Sequence, residues 1–376
     1  MSARKRILGL SEESRRLVPG WSMNFLRSLF TEPPATPQRR AARRPAPGLA
    51  AFHGSGTDQK QDQIRDISAA GIYLVTDERW EPGTVIPLTL QPKDEVLEIA
   101  RRQITLQAKA VRTGNDGIGL CFVPPNELDM DAWVRLMDSA VNESEPDDIV
   151  GQFRMADAVA FLIHLSPSIE TAVRQMIRGG SSNRRVSNAV EVALKAKNKL
   201  TAYEDRAELR AHEHVVLRIL EDGSWADEDA TQQLWAGLLA SSCTHEPADE
   251  SSLFLIDLFS QLAQIHIRIL LSACQRAVKT IDESGVTAAE RLCCPAEEIM
   301  KISGSRDLVR IERDLMHLSE LGLFEIRSKS TTLCLINEAD ITPTSLGLEL
   351  YARCHGYRGS LQDFYRVEVP AGHAIH

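Results

Sequence analysis

Arginines at regular spacing near the N-terminus are the residues whose chemistry is easiest to name. The segment RRAARR contains the spacing R-x-x-x-R in two registers, Arg39/Arg43 and Arg40/Arg44. Residues 1–50 carry ten Lys and Arg against three Asp and Glu, whereas the whole chain has a net charge of −9. A basic arm on an acidic body is typical of an anion-binding segment, and the alternative is a solvated tail.

A second polar group stands at the start of a strand-like run. The stretch RDISAAG contains Asp66, Ser68 and Gly71 and is followed by IYLVT, which is rich in β-branched and aromatic residues. One interpretation is structural, with the two polar side chains bonding the backbone at a strand bend and the glycine in a bulge. The other interpretation is a ligand held at the strand start.

The elements that must position both groups are short strands. Apolar runs alternate with turn residues and predict strands near 49–53, 62–67, 71–76, 84–91, 103–113 and 117–123. Asn115-Asp116-Gly117, between the last two runs, is a strong hairpin signal. Six short strands in so few residues predict a small antiparallel β-barrel, with a trailing helix at 127–141.

The arginines and the polar strand start, in this order, resemble the PilZ domain, the bacterial receptor module for cyclic di-GMP. The resemblance covers residues 38–125 and rests on RRAARRP, RDISAAGIYLVT, ERWEPGTVIPLTL and GNDGIGLCFV. It implies that cyclic di-GMP binds to Arg39, Arg40, Arg43, Arg44, Asp66, Ser68 and Gly71. The family's usual distance from the second arginine to Pro45 favours the Arg39/Arg43 register, and the Arg40/Arg44 register stays open.

The chemistry of this ligand suits these residue types. An arginine fork pairs with phosphate in two hydrogen bonds, and its plane stacks on guanine. Asp66 has acceptors for the N1–H and N2–H₂ donors of guanine, Ser68 adds a hydroxyl contact, and Gly71 removes a Cβ at a close approach. Degenerate PilZ domains that bind no ligand are the competing interpretation.

After the acidic hinge SEPDD at 144–148 the hydrophobic period changes from 2 to 3.6. It predicts helices near 167–179, 187–202, 205–221, 227–241, 251–283, 287–293, 305–321 and 343–354. Residues 360–376 are expected to be frayed. The apolar run Leu253–Ser272 is interrupted by polar residues, so we expect a buried helix there and no membrane span.

Part of this helical region resembles the Abi-alpha family, which is linked by name to abortive phage infection. The resemblance covers residues 150–355, rests on DEDATQQLWAGLLA, LSELGLFE and ITPTSLGLELYARC, and carries over no catalytic residue. Short helices, the helix at 305–321 and a hairpin of 323–327 and 332–336 predict a winged-helix layout. Basic and acidic residues are interleaved in this winged-helix-like segment, which favours a protein partner over DNA.

These patterns predict a multidomain α+β chain, with a PilZ-like barrel followed by a mostly helical part. The predicted segments are an arm at 1–37, a barrel with its trailing helix at 38–142, a helical domain at 150–284, a winged-helix-like part at 285–356 and a tail at 357–376.

Enzyme signatures are missing from the sequence, which has no Walker loop, G-x-S-x-G, H-E-x-x-H, cyclase or phosphodiesterase motif. We therefore expect no enzymatic activity and no cofactor.

Seven scattered cysteines without a C-x-x-C pair predict reduced thiols and a cytoplasmic protein. His212 and His214 are two residues apart on a predicted helix, so we expect them to point in different directions and to bind no metal.

The prediction for function is a cytoplasmic cyclic di-GMP receptor whose helical part relays the signal to a protein partner. Two alternatives stay open. One is a DNA-binding regulator under nucleotide control, and the other is a defence or scaffold protein with a non-binding barrel.

Overall fold

A computed structural model of the chain describes most residues after position 42. The described residues are 43–46, 48–54, 60–92, 103–124, 133–134, 149–177, 184–281, 286–325 and 338–368. They all belong to one compact unit, residues 40–376. The predicted domain boundaries stay predictions.

Six antiparallel strands close into a barrel, as the turn signals predicted. The strands are β1 (Leu49–His53), β2 (Lys60–Ser68), β3 (Gly71–Val75), β4 (Val85–Pro92), β5 (Ile104–Thr113) and β6 (Gly117–Phe122). Their order around the barrel is β1-β2-β3-β6-β5-β4. Closure occurs because β1 pairs with β2 on one side and with β4 on the other.

Strict alternation of side chains fills the barrel. Along β5, Ile104, Leu106, Ala108 and Ala110 are buried while the residues between them are exposed. Successive side chains of a strand point to opposite faces, so one face of β5 lies in the core and the other in solvent. The turn after β5 is closed by a hydrogen bond from the Gly114 N–H to the Gly117 carbonyl, 2.8 Å long.

Helices dominate the rest of the described chain. They are α1 (Ile149–Leu165), α2 (Glu170–Ile177), α3 (Arg184–Leu200), α4 (Glu213–Gly223), α5 (Asp229–Ser241), α6 (Leu253–Ser260), α7 (Gln264–Arg276), α8 (Ala296–Ser303), α9 (Leu308–Glu320), α10 (Ser345–Cys354) and α11 (Leu361–Glu368). Short strands interrupt them at β7 (Lys279–Ile281), β8 (Thr287–Ala289), β9 (Cys293–Pro295) and β10 (Glu338–Asp340).

Helix α1 joins the barrel to the helical part and is not among the helices predicted above. Nearly all of its side chains are buried, so it shows no amphipathic period for a sequence pattern to detect. Phe153 packs edge-on against Phe122 of β6, with ring centroids 5.0 Å apart. The Arg154 guanidinium donates to the Gln103 carbonyl at 2.7 Å. α1 is thus fixed to the barrel by both apolar and polar contacts.

The centre of the helical part is α5, which packs against α3 and α10. Trp235 and Leu239 of α5 are buried in this core. A Cβ added at Gly237 would lie closer than 3.0 Å to the Cys354 carbonyl oxygen, a separation that real Cβ atoms do not show. The glycine therefore allows the end of α10 to approach the backbone of α5.

The single helix predicted at 251–283 is wrong, because α6 and α7 meet at a bend of 120°. The His266 ring accepts a hydrogen bond from the Ala263 N–H at 3.1 Å and so caps a new helix. The bend lets Ile256 and Phe259 of α6 and Ile269 of α7 all reach the core. In the described residues no single helix is long and apolar enough to cross a membrane. Only the bent pair α6–α7, counted as one segment, has the length and apolar composition of a membrane span.

The helix predicted at 287–293 is also wrong, since this segment forms β8 and the start of β9. β8 pairs with β7, and β9 pairs with β10, more than 40 residues later. Strand pairing overrides the local helical pattern here, with the nearby β7 for β8 and the distant β10 for β9. The helix predicted at 205–221 begins only at Glu213, after a run of turns.

Residues 360–376 were expected to be frayed, but residues 361–368 form α11. The Ser360 hydroxyl accepts from the Asp363 N–H at 3.2 Å, which caps the helix start. Tyr365 is buried and donates to the Leu348 carbonyl at 3.0 Å, so α11 is attached to α10. The remainder, 369–376, lies outside the described residues.

Two predicted elements fall largely outside the described residues. Of the predicted helix at 127–141 only Trp133 and Val134 are described, and both are helical. The predicted wing hairpin spans 323–336, of which the structure describes only 323–325, so the winged-helix layout stays a prediction.

Cysteine thiols in the described part of the chain form no disulfide. Burial raises the pKa of Cys243 and of Cys274 to about 12, so both are protonated at neutral pH.

Candidate functional site

The two predicted motif halves meet on the outside of the barrel. The Arg43 guanidinium donates a hydrogen bond to the Asp66 carboxylate and forms an ion pair with it across 23 residues of sequence. Both side chains are partly exposed, at 32% for Arg43 and 22% for Asp66. Arg39 and Arg40 lie outside the described residues.

Arg44 is held to the barrel through its main chain. Its N–H donates to the Ile67 carbonyl and its carbonyl accepts from the Ile67 N–H, each at 2.9 Å. The arginine segment 39–44, called the arm from here on, therefore pairs antiparallel with the end of β2 at one residue pair, Arg44 and Ile67. In this antiparallel register Arg43 is across from Ser68 and Pro45 is across from Asp66, so the Arg43 side chain reaches diagonally to the Asp66 carboxylate.

A β-bulge in β2 aims the polar side chains of this strand outward. Ile64 pairs with Leu74 and Asp66 pairs with Tyr73, so Arg65 is an extra residue without a partner in the register. A bulge of this kind lets two consecutive side chains face solvent. The sequence contains the signal, because Arg65 and Asp66 interrupt the alternation of apolar and polar residues in β2.

Arg65 belongs to a cluster that sequence reasoning missed. Its guanidinium lies over the Tyr73 ring, 3.4 Å from the centroid, and its Nε is 3.3 Å from Asp66 Oδ2. The Tyr73 hydroxyl donates to Asp116 Oδ1 at 2.8 Å, and this hydrogen bond lowers the pKa of Asp116. Arg65 thus presents another cation beside Asp66, fixed from below by an aromatic ring.

Ser68 and Gly71 lie in the tight connection from β2 to β3. The Ser68 hydroxyl donates to the Gly71 carbonyl at 3.2 Å, and Ser68 is buried. A Cβ on Gly71 would lie closer than 3.0 Å to the Leu120 carbonyl oxygen of β6. Both residues therefore have a role in the fold, and a contact of either with a ligand stays a prediction.

The site is connected directly to the helical part. Arg44 Nη2 donates to Gln152 Oε1 at 2.8 Å, and Gln152 lies on α1 with no exposed surface. The Trp133 indole N–H donates to the Ala69 carbonyl at 3.0 Å, inside the RDISAAG connection. Trp133 also packs near Phe153 of α1, with ring centroids 6.2 Å apart. Both motif halves thus contact residues that lead to α1.

These observations describe an antiparallel six-stranded barrel with a preceding arginine segment docked beside an aspartate of β2. The PilZ domain family matches residues 37–139. This part of the chain matches the PilZ domain family in sequence and has a closed six-stranded barrel. The match begins at Pro37 and includes the four arginines, all six strands and the segment around Trp133.

A second family match covers the helical part. The family described as abortive infection alpha matches residues 181–354, from the region before α3 to the end of α10. Among the curated proteins, no match to the chain is found. The PilZ match supports a domain of the cyclic di-GMP-binding type, and the abortive infection alpha match is compatible with a part in defence.

Proposed function

We propose that the chain is a non-enzymatic cyclic di-GMP receptor that binds the dinucleotide on the outer face of its PilZ barrel. The observation that carries this proposal is the meeting of Arg43 with Asp66. The two residues come from the two halves of the motif and occupy one place on the surface. A ligand with phosphates and guanine edges needs a guanidinium and a carboxylate side by side.

The Arg43–Asp66 ion pair is a contact that the ligand would exchange. Arg43 would turn to a phosphate, and Asp66 would then accept from the guanine N1–H and N2–H₂. Ion pairs exposed to this extent stabilise a fold by only about 0.2–1 kcal/mol. The free energy lost with this ion pair is therefore smaller than the free energy gained from two charge-assisted hydrogen bonds to the ligand.

Contacts of the arm support the register Arg39/Arg43 for the ligand. Arg43 faces Asp66, whereas the Arg44 side chain contacts Gln152 of α1. We assign Arg43, with Arg39, to the dinucleotide, and Arg44 to the connection with the helical part. Arg40 belongs with Arg44 to the second R-x-x-x-R register, and we assign it no contact with the dinucleotide.

The relay to the helical part runs through Arg44 and Gln152. Ligand contacts made by residues 39–43 would shift Arg44, which is bonded both to Ile67 and to α1. Gln152 is buried, and its Nε2 has no hydrogen-bond partner in the described part of the structure. An unsatisfied buried donor is unfavourable, so this amide gains from a rearrangement that offers a partner.

Exposed apolar side chains support a protein partner for the helical part. Trp225 is 67% exposed, and the Arg185 guanidinium lies 4.1 Å from its ring centroid. Beside it is a groove of about 340 Å³ lined by Val173, Val186, Leu217 and other residues. Exposed Trp and Arg are the residues enriched at the centres of protein interfaces.

DNA is the less favoured partner. On α9, the helix that a winged layout would place in a groove, Val309 and Met316 are exposed apolar residues. Arg310 on the same helix is 3.8 Å from Asp314, so part of its charge is already compensated. A nucleic-acid-binding helix would present a more continuous basic face.

The abortive infection alpha match adds a defence response as the second candidate output.

Calorimetric titration of the full chain with cyclic di-GMP tests the receptor proposal, with GMP as the control nucleotide. We expect micromolar or tighter binding of cyclic di-GMP. Asp66→Ala is expected to weaken it roughly 10–150-fold, because a hydrogen bond to a charged group contributes about 1.5–3 kcal/mol. Asp77→Ala is the matched control, since Asp77 is an exposed carboxylate of the barrel just after β3 and lies outside the Arg65–Tyr73–Asp116 cluster.

The sign of the Asp66 effect separates two roles. If Asp66 served only to hold Arg43, its removal would release the arginine and tighten binding. Tighter binding by Asp66→Ala, or no binding by the unchanged chain, would contradict the proposal.

Gln152→Met tests the relay. Methionine has a similar volume but no acceptor for Arg44, and this hydrogen bond lies outside the ligand site, so we expect ligand affinity within about fivefold of the unchanged chain. Hydrogen exchange of α1 amides should respond to cyclic di-GMP in the unchanged chain and fail to respond in Gln152→Met. Gln175→Met, at an exposed position of α2, is the control. An equal response in Gln152→Met would rule out this route.

A further inference from the structure

Two histidines and a glutamate converge at the start of α4. His212 and His214 were expected to point in different directions, and this prediction is wrong. His212 is the N-cap of α4 and has an extended backbone, with φ −62° and ψ 142°, so helical spacing does not apply to the pair. Their rings lie edge to face with centroids 5.0 Å apart. Glu250, from the loop before α6, reaches both rings.

The donor atoms have the spacing of a metal site. Glu250 Oε1 is 3.2 Å from His212 Nδ1 and 3.1 Å from His214 Nδ1. Each residue offers a donor atom, and the three donor atoms lie within 4.8 Å of one another. In tetrahedral zinc coordination with bonds near 2.0–2.1 Å, neighbouring donors are about 3.3 Å apart. The two glutamate–histidine distances already match this spacing, and the two histidine donors, which lie within 4.8 Å, would have to approach each other by at most about 1.5 Å.

Hydrogen bonding indicates a lone pair at His212 Nδ1. This nitrogen accepts from the His214 N–H at 3.3 Å, so it carries no proton in that arrangement. It then faces a carboxylate oxygen at 3.2 Å with no hydrogen between the two acceptors. A cation placed between them would remove this repulsion. Its bond to His212 Nδ1 would replace the 3.3 Å hydrogen bond from the His214 N–H, because this nitrogen has a single lone pair.

The backbone holds the two segments in register before any ion arrives. Arg210 and Thr244 exchange both backbone hydrogen bonds, each at 2.8 Å. This pairing places the segment leading to His212 beside the loop that carries Glu250. Glu213 Oε1 lies 4.0 Å from His214 Nε2, which is beyond hydrogen-bond distance but leaves a carboxylate near the second ring nitrogen.

We propose that His212, His214 and Glu250 bind a divalent transition-metal ion of the zinc type, which ties the start of α4 to the loop before α6. Two imidazoles and a carboxylate suit zinc or cobalt, whereas calcium and magnesium prefer oxygen donors. His214 and Glu250 have side chains 63% and 49% exposed, so water can occupy the fourth position. This inference does not depend on the receptor proposal.

Cobalt is the probe that tests the site, because tetrahedral Co²⁺ has intense visible absorption bands. Titration of the full chain should produce these bands with one equivalent of Co²⁺ and lose them on addition of Zn²⁺. His214→Ala and Glu250→Gln are each expected to weaken binding at least about a hundredfold, since even partners outside the ligand shell contribute 10–100-fold. His212→Asn removes the ligand and keeps a residue that caps helices.

His245→Ala is the matched control, since His245 is an exposed histidine nearby that pairs with Asp205 at 3.0 Å. It should bind the metal as the unchanged chain does. Three results would overturn the proposal. They are no visible bands at micromolar Co²⁺, bands that survive in His214→Ala and Glu250→Gln alike, or a thiolate charge-transfer band in the near ultraviolet, which would place the ion on cysteines.

Discussion

Changing Arg39, Arg40, Arg43 and Arg44 together to alanine is expected to weaken cyclic di-GMP binding at least a hundredfold. The physical reason is that arginine supplies both a fork for phosphate and a plane for guanine, and each charge-assisted hydrogen bond contributes about 1.5–3 kcal/mol. Removing two such hydrogen bonds is sufficient for this effect. Calorimetry on the full-length variant measures it directly.

A matched variant with lysine at the same four positions separates charge from shape. Lysine keeps the positive charge but presents a single ammonium that neither forks around a phosphate nor stacks as a plane. We expect the lysine variant to recover only a small part of the affinity. Full recovery would mean that the arm attracts the ligand by charge alone, and unchanged binding by the alanine variant would remove the arm from the site.

Salt gives an independent measure of the same interactions. Binding by the unchanged chain should weaken as ionic strength rises, because exposed charges are screened within about 8–10 Å at 0.1–0.15 M salt. The alanine variant should show a smaller dependence. Hydrogen exchange of β2 serves as the folding control, since Arg44 bonds Ile67 through its backbone.

Gly71→Ala is expected to destabilise the barrel by at least about 3 kcal/mol, the upper range for overpacking of a well-packed site. The added Cβ would press on the Leu120 carbonyl of β6, and backbone cannot rotate away as a side chain can. Unfolding in urea, together with hydrogen exchange of β3 and β6, measures the decrease in stability. The effect should appear without any ligand present.

Gly48→Ala is the control for this substitution. Gly48 precedes β1, and a Cβ there would meet nothing within 4 Å. We expect its stability to stay within about 0.5 kcal/mol of the unchanged chain. If Gly71→Ala were as stable as Gly48→Ala but bound no cyclic di-GMP, the glycine would serve the ligand and not the fold.

The barrel was predictable from sequence because its signals are local. Alternation along β5, the hairpin turn at Asn115-Asp116-Gly117 and short connections determine each strand without reference to distant residues. The helical part was less predictable, because its elements have either no periodic pattern or a partner far away in the sequence. α1 is apolar on all sides, and β9 depends on pairing with β10 beyond a long intervening segment.

The candidate site was predictable to the same limited degree. The resemblance to the PilZ domain assigned Arg43 and Asp66 to one ligand site, and the structure places their side chains in contact. Arg65 and Tyr73 were not assigned. Their stacking depends on a bulge in β2, which the broken alternation at Arg65 and Asp66 indicates without showing which side chains it brings together. The convergence of His212 on Glu250 depends on a helix that starts just after this histidine, whereas the sequence pattern placed the histidine inside a helix.

The bridge between Arg44 and Ile67 has a consequence for assembly. In the described residues β1 pairs with β2 only from Lys60 to Gln63, so the end of β2 is covered on that side by the arm. A rearrangement that lifts the arm would uncover the backbone N–H and carbonyl of Ile67. An uncovered strand edge accepts a strand from another chain. If cyclic di-GMP binds as proposed and lifts the arm, the same movement would expose a docking edge for a protein.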